Sequence, residues 1–145
     1  MMRKGEEHKA EHTWNISPLH CGISVSNLEA SIEWFGRVLD FEVVSRDSIP
    51  AAGFDLAFLR NGDFEIELFQ CYEYKEMSEE RKVPNLDLKT LGTKHICFAV
   101  DNLDALVETF NENDVEIVQG PEHLIGNYYC FIHGPNDILI EFIEH

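Results

Sequence analysis

Two stretches decide the fold of this chain: HCGISVSNLEA at 20–30 and HICFAVDNLDA at 95–105. Aligned without gaps, they share His, Val, Asn, Leu and Ala at five of eleven positions. Working outward, IEL at 66–68 has its counterpart in IEF at 140–142. His20 lies 47 residues before Glu67, and His95 lies 46 before Glu141. Two markers at nearly equal spacing in both halves identify an internal duplication, in which each copy is one structural unit.

The two copies read alike. Residues 19–25 form a strand, and Ser26 with Glu29 three residues later suggests a capping box at the start of a helix. Asp101 and Asp104 take those places in the second copy. Leu28, Ile32, Phe35 and Leu39 recur at helical spacing over 27–39, as do Leu103, Leu106, Val107 and Phe110 over 102–112. Strands are expected at 41–47, 54–60 and 63–70, with Asn61-Gly62 as a hairpin signal. Their counterparts fall near 115–118, 127–133 and 138–143, with a turn at Gly134-Pro135-Asn136-Asp137. The fold class is therefore α+β, two tandem βαβββ modules. Module one covers 14–70, a charged linker with Pro84 covers 71–90, and module two covers 91–145. Residues 1–13 are polar and aperiodic and read as a flexible tail, His8 and His12 included.

Strands alternate faces. His20, Gly22 and Ser24 share one face of the first strand; His95, Cys97 and Ala99 share one face of its copy. The opposite faces carry Ile23 and Val25, or Ile96, Phe98 and Val100, and suit a core under the helix. Glu67 and Glu141 each sit between apolar neighbours, Ile66 and Leu68 or Ile140 and Phe142. An unpaired carboxylate buried there costs several kcal/mol, which a cation removes. His20, Glu67, His95 and Glu141 on one concavity would hold one divalent ion: zinc, nickel, cobalt, manganese or iron. Any one of these residues alone reads as a solvated or hydrogen-bonded side chain; the symmetry of all four under the repeat makes the case.

Bulk properties narrow the class. A net charge of −16 argues against nucleic acid and anionic membrane surfaces as partners. No apolar run approaches the ~20 residues of a membrane helix, and no apolar stretch follows the charged start, so a cytoplasmic protein is expected. Cysteines at 21, 71, 97 and 130 lack CxxC spacing and read as free, mostly buried thiols. Secondary candidates are His133 beside the turn, His123 in a loop with Gly120, Pro121 and Gly126 that could form a lid, Glu65 on the face of Glu67, and Tyr72 and Tyr74. Trp34 and Phe35 read as helix core. There is no Ser-His-Asp pattern and no glycine-rich phosphate loop.

The stretches LHCGISVSNLEASIEWFGRVLDFEVV, FEIELF, KHICFAVDNLDAL and GPNDILIEFIE resemble the vicinal-oxygen-chelate superfamily across residues 16–144. The resemblance implies an incomplete barrel around the metal, with His20, Glu67, His95 and Glu141 as protein ligands, and commonly a homodimer. The full ligand set is similar to glyoxalase I and methylmalonyl-CoA epimerase, which move a proton beside a carbonyl. This implies a lyase or isomerase working through an enediolate on a small thiol adduct or thioester. Nickel, zinc, cobalt or manganese is then favoured over iron, Glu141 is the base, and Glu67 is able to act on the other face. Where small bacterial glyoxalase I carries an arginine for glutathione, this chain has Ser24. The alternatives are an epimerase-like racemase, an extradiol-type dioxygenase and a non-catalytic small-molecule binding protein.

Overall fold

The computed structural model describes residues 11–145; most of the expected tail, His8 included, lies outside them. Module one runs β1 (His20–Ser24), α1 (Leu28–Leu39), β2 (Glu42–Ile49), β3 (Phe54–Asn61) and β4 (Phe64–Cys71). The connecting segment carries a 3-10 turn at Glu79–Lys82 and the short helix α2 (Pro84–Asp87). Module two runs β5 (Ile96–Val100), α3 (Leu103–Glu112), β6 (Ile117–Leu124), β7 (Asn127–His133), a 3-10 turn at Pro135–Asp137, and β8 (Leu139–Glu144). Each module is a four-stranded sheet, ordered β1-β4-β3-β2 and β5-β8-β7-β6. In each, the first strand pairs parallel with the last and the other pairings are antiparallel. The sheets stay open rather than closing into a barrel, so β1 and β5 are edge strands.

The core is duplicated like the sequence. Phe35 and Phe110 are fully buried, each at the same offset from its module's histidine. Leu59 pairs with Ile66 as Ile132 pairs with Ile140, and Ala57 with Leu68 as Cys130 with Phe142. Each leucine, isoleucine and phenylalanine among them contributes roughly 1.5–3 kcal/mol by leaving water. Both halves join one hydrophobic cluster, and Phe98 of β5 meets Phe41 and Phe64 of module one with ring centroids 6.1 and 5.8 Å apart.

Four local expectations are corrected. The helix caps are Asn27 and Asn102, not Ser26 and Asp101: their side chains accept from the Ala30 and Ala105 amides at 3.0 and 3.1 Å, the N3 bond a cap must make. Ser26 instead bridges the modules, donating its amide to Asn136 Oδ1 at 2.9 Å and accepting from Asn136 Nδ2 at 2.8 Å. Asn61 belongs to β3, paired with Phe64, so the hairpin turn is Gly62-Asp63, with Gly62 at φ +59 where glycine is unstrained. β6 extends through Gly120-Pro121 to Leu124. Its register slips twice around that dipeptide, and an edge strand tolerates a proline because its outer side needs no amide donor.

Candidate metal centre

β1 and β4 run parallel with Gly22 opposite Glu67. That register brings His20 Nε2 to 3.3 Å from Glu67 Oε1. In module two Cys97 stands opposite Glu141, and His95 Nε2 lies 3.2 Å from Glu141 Oε1. Both pairs lie on the sheet face away from the helix, where small residues keep the surface open: Gly22 and Ser24 are exposed beside buried Ile23, and Cys97 and Ala99 are exposed beside half-buried Phe98. The glutamates are the more enclosed partners, with side chains 18% and 15% exposed.

The sequence reading missed a third member of each half-site. Phe58 lies across the ladder from Glu67, and its ring meets His20 edge-on at 5.5 Å. Phe131 lies across from Glu141 and meets His95 edge-on at 4.9 Å. Cross-strand pairing to a glutamate was the available signal, but it needs the register. The phenyl walls restrict each imidazole's rotation and lower the local dielectric around the pair.

The two half-sites do not meet within the chain. Among the described residues, the one group of three or more His, Cys, Asp or Glu side chains with mutually close ligand atoms is Glu116, His133 and Asp137, all within 4.8 Å. A cavity of ≈ 1240 Å³ lies between the modules under the connecting segment, and of the four expected ligands only His95 borders it. No carboxylate of either pair reaches this cavity.

The two thiols on module two respond to Glu141. Cys97 is pushed up to about 12, first by desolvation and then by the charge and hydrogen bonding of Glu141. Cys130 is pushed up to about 11 by desolvation and then by the same charge. All four cysteines are free, but only Cys130 is buried, where the sequence reading expects most of them to be. Farther along β7, Tyr129 donates to Glu122 at 2.6 Å and accepts from Gln119 at 2.7 Å, and the Tyr129 bond holds the Glu122 carboxyl below its usual range.

The secondary candidates divide. His123 lies in β6, not in a loop, stacked on Tyr128 at 4.5 Å. Glu65 pairs with Arg60 at 3.4 Å. Tyr72 donates to Asp55 at 2.9 Å, while Tyr74 borders the cavity. Trp34 packs at the edge of the core that Phe35 occupies. His12 stacks on Trp14. The connecting segment is tied down by Asp87, 2% exposed, which pairs with Arg81 at 3.1 Å and Lys94 at 3.3 Å.

Known proteins resemble this chain in sequence and in fold. The chain is 32% identical over 133 residues to the YwbC protein of Bacillus subtilis, covering 86% of this chain and 94% of that one. It is 26% identical over 137 residues to the mitochondrial methylmalonyl-CoA epimerase of Bos taurus, covering 88% and 74%. Among solved structures, the trypanothione-dependent glyoxalase I of Leishmania major superposes with a TM-score of 0.70 at 23% identity, covering 90% of this chain and 87% of that one. A glyoxalase family protein from Enterococcus faecalis gives 0.72 at 20% identity, covering 91% and 98%. The sequence pattern of one superfamily matches residues 17–142. With its duplicated βαβββ sheets and that match over most of its length, the chain belongs to the glyoxalase/bleomycin resistance protein/dioxygenase superfamily.

Proposed function

We propose that this chain is a divalent-metal-dependent lyase or isomerase of the glyoxalase type, moving a proton beside a carbonyl of a small thiol adduct or thioester. The observation that carries the reading is the duplicated His–Glu pair, at 3.3 Å in one module and 3.2 Å in the other, each on an open face and each walled by a phenylalanine. Two imidazoles and two carboxylates suit nickel, zinc, cobalt, manganese or iron, and the resemblance to glyoxalase I favours the first four. His20, Glu67, His95 and Glu141 are the residues that would hold the ion. Because the pairs stand apart in one chain, the working site joins module one of one chain to module two of another, making the protein a homodimer.

A cation held there supplies positive charge that stabilises the negative charge developing on a carbonyl oxygen. Glu141 takes the neighbouring proton at Oε1, the oxygen that faces His95. Glu67, its twin, serves the opposite face of the substrate. Phe58 and Phe131 keep the imidazoles in place and exclude water.

Metal content of chelator-free protein, beside a His95→Ala control, is the first test. Near-stoichiometric nickel, zinc, cobalt or manganese, lost in the control, is expected. Glu141→Gln should retain much of the metal yet slow solvent exchange of the substrate proton by on the order of 100-fold or more; an unchanged rate removes Glu141 from the role. The likeness to the bovine epimerase makes acyl-CoA thioesters the second substrate panel after hemithioacetals. Bound iron with oxygen uptake on catechols would instead favour a dioxygenase, and stoichiometric ligand capture without metal a binding protein.

A further inference from the structure

At the end of β7, two residues beyond Phe131, His133 sits among acceptors. Its Nε2 lies 2.8 Å from the Lys82 carbonyl oxygen. A carbonyl can only accept, so Nε2 carries the hydrogen. A neutral ring then presents a bare lone pair at Nδ1. That nitrogen faces Glu116 Oε2 at 3.2 Å and Asp137 Oδ1 at 3.7 Å. Three acceptors converging on one point repel one another unless something positive lies between them. Lys82 Nζ stands 3.8 Å from the other carboxylate oxygen of Asp137 and is paired with Glu79 at 2.8 Å.

We propose that Glu116, His133 and Asp137 form a second divalent-cation site, separate from the His–Glu pairs. One imidazole nitrogen and two carboxylate oxygens suit zinc, cobalt or nickel. The bond from Nε2–H to a backbone carbonyl is the arrangement that orients a ligating histidine and fixes its tautomer. The ligands come from three places held in register by backbone bonds. His133 donates its amide to the Glu116 carbonyl at 3.2 Å, and Asp137 donates to Gly134 at 3.0 Å. The His133 side chain is only 14% exposed, while both carboxylates reach solvent, which leaves an entry path.

The position gives the ion a structural task. Lys82 ends the 3-10 turn Glu79–Lys82 of the connecting segment, and Asn136, next to Asp137, carries the bridge to Ser26 of module one. An ion at Nδ1 therefore braces the connecting segment, module two and the contact between modules at one point.

The test titrates cobalt(II) into chelator-treated full-length protein carrying His20→Ala and His95→Ala, which removes one ligand from each half-site. About one ion per chain should still bind, with visible bands of nitrogen and oxygen ligation and no thiolate charge transfer. Adding His133→Gln, or Glu116→Gln with Asp137→Asn, should weaken that binding by roughly tenfold or more. Parallel titration of His133→Gln in the otherwise native chain guards against misfolding of the background, and should lose about one ion per chain relative to the unmodified protein. Should the half-sites prove not to bind metal, the native chain would still bind an ion lost with His133→Gln, so the two readings fail separately. Retention of the ion after His133→Gln overturns the site. So does absence of binding together with an imidazolium signal for His133 at neutral pH, which would mean that a proton alone resolves the cluster.

Discussion

Asp87 shows how much a single side chain can carry here. It is nearly fully buried, yet Arg81 and Lys94 both reach it, and Lys94 also donates to the Asp87 carbonyl at 2.6 Å. Replacing one partner of a buried ionic group leaves the others uncompensated, at a cost of roughly 3 kcal/mol or more. The Glu33–Arg37 pair on α1 is shorter than either Asp87 ion pair, at 2.8 Å, but its side chains are 61% and 44% exposed, so solvent screening limits it to under about 1 kcal/mol. Denaturant melts should therefore rank Asp87→Ala far below Glu33→Ala in stability. Equal losses would mean that the Asp87 cluster is solvated. In the sequence, Asp87 is one acid among many in a charged linker; its importance comes from burial, which no local pattern reports.

At the scale of elements, the two helix starts repeat down to individual bonds. Beyond the asparagine caps, the first helical amide of each helix is met by a side chain of the last strand. Leu28 donates to Gln70 at 2.6 Å, and Leu103 donates to Glu144 at 3.0 Å. Those acceptors lie three residues beyond Glu67 and Glu141. The same strand thus presents a site carboxylate on one face and reaches the helix start with a later residue. Substituting Asn102 by alanine should cost about 1 kcal/mol, while Asp101→Ala should change stability by no more than about 0.5 kcal/mol. Chemical denaturation of both variants checks this, and the reverse order would restore Asp101 as the cap. Serine and aspartate are good capping types, so the sequence allowed either neighbour. The choice falls to the residue whose extended backbone lets its side chain turn back on the N3 amide, as Asn102 does at φ −144.

The whole molecule divides its proposed site. Each module supplies one His–Glu pair, and the sheets are left open with edge strands beside those pairs. If the working site is shared between chains, two defective proteins should rescue each other. Chains carrying His20→Ala and Glu67→Ala, mixed and refolded with chains carrying His95→Ala and Glu141→Ala, should form mixed dimers with one intact site. About half the activity per mixed dimer should return, with neither parent active. Failure to complement, alongside a confirmed dimer, would mean that both pairs serve one site within a chain.

The sequence by itself determined the duplication, the βαβββ order and the sheet-and-helix core, and it singled out four His and Glu residues that the fold then sets in two pairs. Each of these is local or periodic: His20 and Gly22 share a face because strands alternate, and Phe35 and Phe110 are core because helices repeat every 3.6 residues. The tertiary structure alone decided what depends on register and on contacts across long stretches of chain. Phe58 and Phe131 wall the imidazoles because of strand pairing. Asn27 and Asn102, rather than their neighbours, cap the helices because of the angle at which each chain leaves its first strand. The pairs stand apart because the two sheets share a core on their helix sides and leave their histidine faces open.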